Sequence, residues 1–133
     1  MGYDHVIPEL FLKCKKNNRQ LKIQGSGEET RSFCYIEDFN NGLDILINKK
    51  LNGFHVFNIG NDVETSINSL LNKIRKLTKN KKKILRGKLH RWSVKRRKPD
   101  LTKIKNLGYK TKNSLDKGLR FVFLEDDKIK SLF

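Results

Sequence analysis

Gly25 to Phe39 reads GSGEETRSFCYIEDF, and its fifteen residues change character three times. Two glycines around a serine mark a tight turn. RSFCYI follows, an aromatic and β-branched run that predicts a strand. Glu37 and Asp38 then precede Phe39, Leu43, Leu46 and Ile47, which fall on one face at helical spacing. Asp38 is expected to cap that helix, and side chains as close as Glu37 and Asp38 point apart, so a carboxylate pair is not expected. Arg31 is the only basic residue between Lys22 and Lys49 in a chain with 30 lysines and arginines. Such isolation fits either a positioned ligand for an anion or a surface ion pair with Glu28, Glu29 or Glu37.

The neighbouring segments continue the alternation. VIPELFLKCKKNN predicts a helix with Pro8 in its first turn and Leu10, Phe11 and Cys14 on one face. Leu21 to Gln24 is a short strand running into the glycine turn. On the far side, Phe54 to Gly60 (FHVFNIG) predicts a third strand, ended by a turn at Asn58 and Gly60. Thr65 or Ser66 then starts a helix carrying Ile67, Leu70, Leu71, Ile74 and Leu77. A short strand is expected around KILRGKL. Leu101, Ile104 and Leu107 line a short helix capped by Asp100 and stopped by Gly108. Ser114 caps the last helix, SLDKGLRFVFLED. Short strands alternating with helices imply a small α/β or α+β layer structure, one unit spanning 1–133.

With 133 residues the chain holds one modest core. Cys14 and Cys34 are too few for a disulfide framework and sit among apolar neighbours, so buried thiols in a reducing compartment are expected. His5, His55 and His90 lack metal-site spacing, and His55 is expected half-buried on its strand. No apolar run approaches the roughly 18 residues of a membrane span, and the start carries no signal-peptide pattern, so the cytoplasm is the expected compartment.

The formal charge is +16. It favours an anionic partner. No acidic residue lies between Glu64 and Asp100, an interval with fourteen lysines and arginines. That run implies either a solvated surface or a face for nucleic acid or another polyanion. Trp92 is its single aromatic, zinc-finger spacing is absent, and so only nonspecific nucleic-acid binding is expected.

Four segments, HVIPELF, IQGSGEETRSFCYIEDFNNGL, FNIGNDVETSINSLLNKI and KRRKPDLTKIKNLGYKTKNSLDKGL, resemble in order and spacing the C-terminal half of the extended short-chain dehydrogenase/reductases. These are the NAD-dependent nucleotide-sugar epimerases, dehydratases and decarboxylases. The resemblance runs to about Leu119. It implies a C-terminal substrate-binding lobe, with the NAD-binding Rossmann half missing from these residues. The family's glycine fingerprint and its Tyr-x-x-x-Lys set lie in that half. GSGEET lacks the third glycine and leads into a strand. Tyr3, Tyr35 and Tyr109 are followed four residues later by Ile7, Phe39 and Asn113. The resemblance therefore implies NAD in an intact enzyme, none held by this chain alone, and no turnover alone.

It also implies a nucleoside-diphosphate sugar as ligand and, as a second partner, a Rossmann-domain chain. The motif arginine, here Arg31, contacts the diphosphate in the resembled family. Arg96 or Arg97 supplies the second basic contact. Ile23 and Gln24 match the strand that lines the base pocket; Val6 and Ile7 match the segment that covers the base; His5 lies beside it. The rival readings are a small basic binding module and an inert remnant whose exposed apolar docking surface drives association.

Overall fold

Pro8 fixes its φ in the first turn of helix α1 (Val6–Lys15), where its missing N–H costs no hydrogen bond. The computed structural model describes residues 5–89 and 91–125, so His90 and the end of the last predicted helix lie outside the description. One face of α1 buries Leu10, Phe11 and Cys14. Lys82 Nζ caps the other end of the helix, donating to the Lys13, Cys14 and Lys16 carbonyls, and Asn80 Nδ2 donates to Cys14 O at 2.7 Å. These carbonyls are the helix's unsatisfied terminal acceptors, and an ammonium there also matches the negative end of the helix dipole.

Strand β1 (Gln20–Gln24) alternates exposed and buried residues and sends Leu21 and Ile23 inward. It runs parallel to β4 (Lys83–Gly87), with Leu21 opposite Ile84. A second sheet has the order β3-β2-β5, built from β2 (Thr30–Ser32), β3 (Glu64–Ser66) and β5 (Arg96–Arg97). β2 is antiparallel to β3 and parallel to β5. Gly25 and Gly27 join β1 to β2 at φ +72° and +84°, values a Cβ strongly disfavours.

Helix α3 (Ile67–Thr78) starts where Ser66 Oγ accepts from Ser69 N–H at 3.1 Å, the cap its sequence predicts. It buries Leu70, Leu71 and Ile74 against α1, β1 and Leu119. Each such side chain contributes about 1.5–3 kcal/mol. Phe11 and Phe123 stack in the same core at 3.7 Å between centroids. Helix α5 (Leu115–Arg120) begins at the predicted Ser114 cap and widens into a π turn over Phe121–Glu125.

A second, smaller cluster holds Leu101, Ile104 and Tyr109, with Leu46, Phe57 and Ile59 packed on it. It forms around α4 (Thr102–Lys105), whose first N–H binds the Asp100 carboxylate at 2.9 Å, as expected, and which stops at Gly108 with φ +98°. Tyr109 OH donates to Gly60 O at 2.6 Å inside this cluster.

Four sequence expectations change. The strand around RSFCYI ends at Ser32, because beyond it no strand among the described residues pairs with the chain. Helix α2 (Ile36–Asn48) already starts after Tyr35, and Asp38 is not its cap. The Asp38 carboxylate instead accepts the Lys112 and Asn113 N–H groups at 3.0 and 3.1 Å and Asn113 Nδ2 at 3.0 Å. Residues 54–60 form no hydrogen-bonded strand among the described residues, and His55 is exposed there, with Nε2 at 2.9 Å from Asn52 O. Cys14 is buried but Cys34 is exposed, since it falls in the link between β2 and α2.

Large apolar side chains remain outside both cores. Ile47 on α2 is 77% exposed and Phe54 92%, with Val56 exposed beside them. Along 54–59 the period is two: Phe57 and Ile59 face the second cluster while Phe54 and Val56 face solvent. Apolar residues on both faces are the pattern of a strand built to be covered on both sides.

Candidate anion site between the two sheets

β2 and β5 pair so that Arg31 stands opposite Arg97 and Thr30 opposite Arg96. Successive strand residues point to opposite faces. The two members of the arginine doublet are therefore separated: Arg97 shares a face with Arg31, and Arg96 lies on the other.

On the Arg31 face is a cavity of about 280 Å³. Arg31 and Arg97 supply its charge, and Gln24 stands at the end of β1. Val6, Leu10, Ile23, Ile67 and Leu89 provide apolar wall, and Glu9 and Lys13 form part of the rim. Lys13 Nζ is held by Glu9 Oε1 at 2.5 Å and Lys22 O at 2.9 Å.

Arg31 is half-buried and makes no ion pair with Glu28, Glu29 or Glu37 among the described residues. Its Nη1 donates to Thr30 O at 2.7 Å. Burial, then the neighbouring Arg97 charge, pulls its pKa down from the usual arginine value, while Glu29 opposes the change. Glu29 is itself taken up by the glycine turn. Its carboxylate accepts Ser26 N–H at 3.2 Å, Ser26 Oγ at 3.3 Å and Gly27 N–H at 2.8 Å. Burial alone would raise the Glu29 pKa; these hydrogen bonds win and hold it below the ordinary carboxylate range. Glu29 lines the cavity too, but with its carboxylate taken up by the turn neither guanidinium of the Arg31–Arg97 pair has an ion-pair partner among the described residues. Such a pair suits an anion with several oxygens, such as a diphosphate.

On the opposite face Arg96 clasps Glu64 bidentately, Nε to Oε1 at 2.7 Å and Nη2 to Oε2 at 2.6 Å. Thr30 Oγ1 donates to the same Oε1 at 2.8 Å. Arg96, then Thr30, lowers the Glu64 pKa to about 2.

Of the eight residues named from sequence, Val6, Ile23, Gln24, Arg31 and Arg97 line this cavity. Arg96 does not. Ile7 sits on another side of α1, in an apolar groove of about 500 Å³ shared with Phe33, Cys34 and Phe39. His5 is exposed ahead of α1, where its carbonyl accepts Glu9 N–H at 3.0 Å.

The profile of the NAD dependent epimerase/dehydratase family matches residues 2–60. A UDP-N-acetyl-alpha-D-glucosaminuronate decarboxylase of Bacillus cytotoxicus is 31% identical over 111 residues, 79% of this chain and 34% of that protein. UDP-glucuronic acid decarboxylase 1 of Xenopus tropicalis is 37% identical over 120 residues, covering 90% of this chain and 28% of the relative. The chain belongs to the extended short-chain dehydrogenase/reductases. Its described fold matches the Bacillus cereus UDP-glucuronic acid 4-epimerase, solved with UDP-glucuronic acid and NAD, at a TM-score of 0.80 and 29% identity, over 98% of this chain and 41% of that one. The chain spans about a third of the length of these curated relatives.

NAD finds no cradle in the glycine turn of this family member. The turn leads into β2, not into a helix, and the Glu29 carboxylate already fills its N–H groups. Among the described residues no cluster of His, Cys, Asp or Glu could hold a metal ion, and no helix is long and apolar enough to cross a membrane. Three residues of the basic run are committed elsewhere: Lys73 pairs with Asp116 at 2.5 Å, Arg75 binds Asn80 and Lys82 carbonyls, and Lys82 caps α1.

Sequence reading alone missed Glu64, Ser93, Leu89 and Lys13. Only Glu64 left a signal: it is the last carboxylate before the acid-free interval, and one arginine of the later doublet needs a partner.

Proposed function

We propose that this chain is the lobe that binds a nucleoside-diphosphate sugar for an NAD-dependent epimerase, dehydratase or decarboxylase, and that it orients the substrate without performing chemistry alone. The juxtaposition of Arg31 and Arg97 on one face of a cavity that Val6, Ile23 and Gln24 also line carries this reading. The guanidiniums take the diphosphate, Ile23 and Val6 pack beside the base, and Gln24 offers an amide to a base edge or ribose hydroxyl. Such a lobe contributes orientation and selectivity, while hydride transfer and proton transfer belong to NAD and a general acid/base outside these residues.

The partner implied is an α/β nucleotide-binding half, attached or on a separate chain. The run at 54–59, with Phe57 and Ile59 packed inward and Phe54 and Val56 exposed, and the exposed side of α2 are the surface it would cover. Adding 54–59 to a sheet edge would satisfy its backbone and bury Phe54 and Val56 together.

The test is calorimetric titration of the full chain with UDP, UDP-glucuronic acid and uridine. Binding of both diphosphates, with uridine at least about tenfold weaker, is expected from loss of the charge-assisted contacts. Equal binding of uridine and UDP would remove the diphosphate from the arginine pair. No binding of any of the three would reject the reading for the chain on its own.

A further inference from the structure

Arg31 and Arg97 carry like charges across adjacent strands, and each burdens the other. Directly opposed like charges push strands apart. β5 is only two residues long, so its own ladder is a weak restraint. Something must hold Arg97 beside Arg31 before any anion arrives.

The opposite face of the same sheet supplies it. Glu64 comes from β3, Thr30 from β2 and Arg96 from β5, and one carboxylate accepts from both of the others. The Glu64 carboxylate is thus a staple across all three strands. A bidentate guanidinium–carboxylate pair fixes direction as well as distance. With Arg96 fixed outward, strand alternation sends Arg97 inward. Thr30, opposite Arg96, is likewise held, and Arg31 is its direct neighbour.

We infer that Glu64 is a positioning residue for the anion site: by tying Arg96 and Thr30 together on one face of the β3-β2-β5 sheet, it presents Arg97 and Arg31 as a preformed pair on the other. This rests on the nucleotide-sugar reading for its ligand, but the arrangement of the arginines can be read without one.

The test uses the full chain with Glu64→Gln, Arg97→Ala and the double variant. UDP affinity of Glu64→Gln should fall about tenfold, the coupling expected within one hydrogen-bond network. In the Arg97→Ala background the loss caused by Glu64→Gln should be clearly smaller, because only Arg31 of the two groups it positions remains. A residue that merely stabilised the fold would weaken UDP equally in both backgrounds, and that result would overturn the inference. Nitrogen-15 spectra of the arginine Nε–H groups, recorded without ligand, form the second readout. Glu64→Gln should shift the Arg97 and Arg31 signals along with that of Arg96. If only the Arg96 signal moves, the staple does not reach the site and the inference fails, whatever UDP does. If the wild type shows no UDP binding while the Arg97 and Arg31 signals move, the nucleotide reading fails and the positioning role stands.

Discussion

Replacing Arg31 with alanine separates a ligand contact from a structural one. Among the described residues the guanidinium makes one hydrogen bond, Nη1 to Thr30 O at 2.7 Å. Losing it costs about 1 kcal/mol. Against that, the change removes a charge that is already disfavoured by burial and by Arg97. The two effects oppose, so stability should change by less than about 1 kcal/mol. In the complex the same side chain would face a diphosphate through charge-assisted bonds worth about 1.5–3 kcal/mol. UDP affinity should therefore drop by about 10- to 150-fold, while the urea midpoint barely moves. Arg31→Lys keeps the charge but loses the planar fork, and should recover only part of the affinity. Calorimetry with UDP and with uridine reads the affinities, and urea denaturation reads the stability. The reasoning is refuted if Arg31→Ala binds UDP as tightly as the wild type, or if it loses uridine as steeply as UDP.

Other perturbations test the frame around the site. Asp38→Ala leaves three donors in the buried Asp38–Asn113 region without their acceptor, so unfolding free energy should fall by about 3 kcal/mol in urea denaturation; a loss below about 1 kcal/mol would mean that those groups find water. Glu64 has a folded pKa of about 2 against an ordinary 4.5. Its contribution is present above the unfolded value and is lost as pH falls from there toward the folded one. The stability gap between wild type and Glu64→Gln should thus shrink from neutral pH to about pH 3, and a gap that stays constant would contradict the assignment. Ile47→Lys combined with Phe54→Lys should leave stability within about 1 kcal/mol and lower the binding of an apolar dye, since neither side chain enters a described core. A large loss of stability would place those residues inside one.

Local signals carried much of this protein in its sequence. The Ser66 and Ser114 caps, the Asp100 turn, the positive-φ glycines at 25, 27 and 108 and the periodicity of Ile67 to Leu77 each act within one or two turns of chain. Their outcome depends little on distant residues, so they could be read in order. The isolation of Arg31 was legible for the same reason, since charge spacing needs no fold. Tertiary structure decided the rest. Asp38 had the sequence context of a cap, yet its acceptors were claimed by residues 74 and 75 positions away, where buried N–H groups had no other partner. The strand expected at 54–60 had strand chemistry but no pairing partner among the described residues, and a ladder requires two strands' worth of donors and acceptors. Arg96 and Arg97 are chemically identical and adjacent. Only the parallel pairing of β5 on β2, with Glu64 waiting on one face, determines which of them turns toward the cavity.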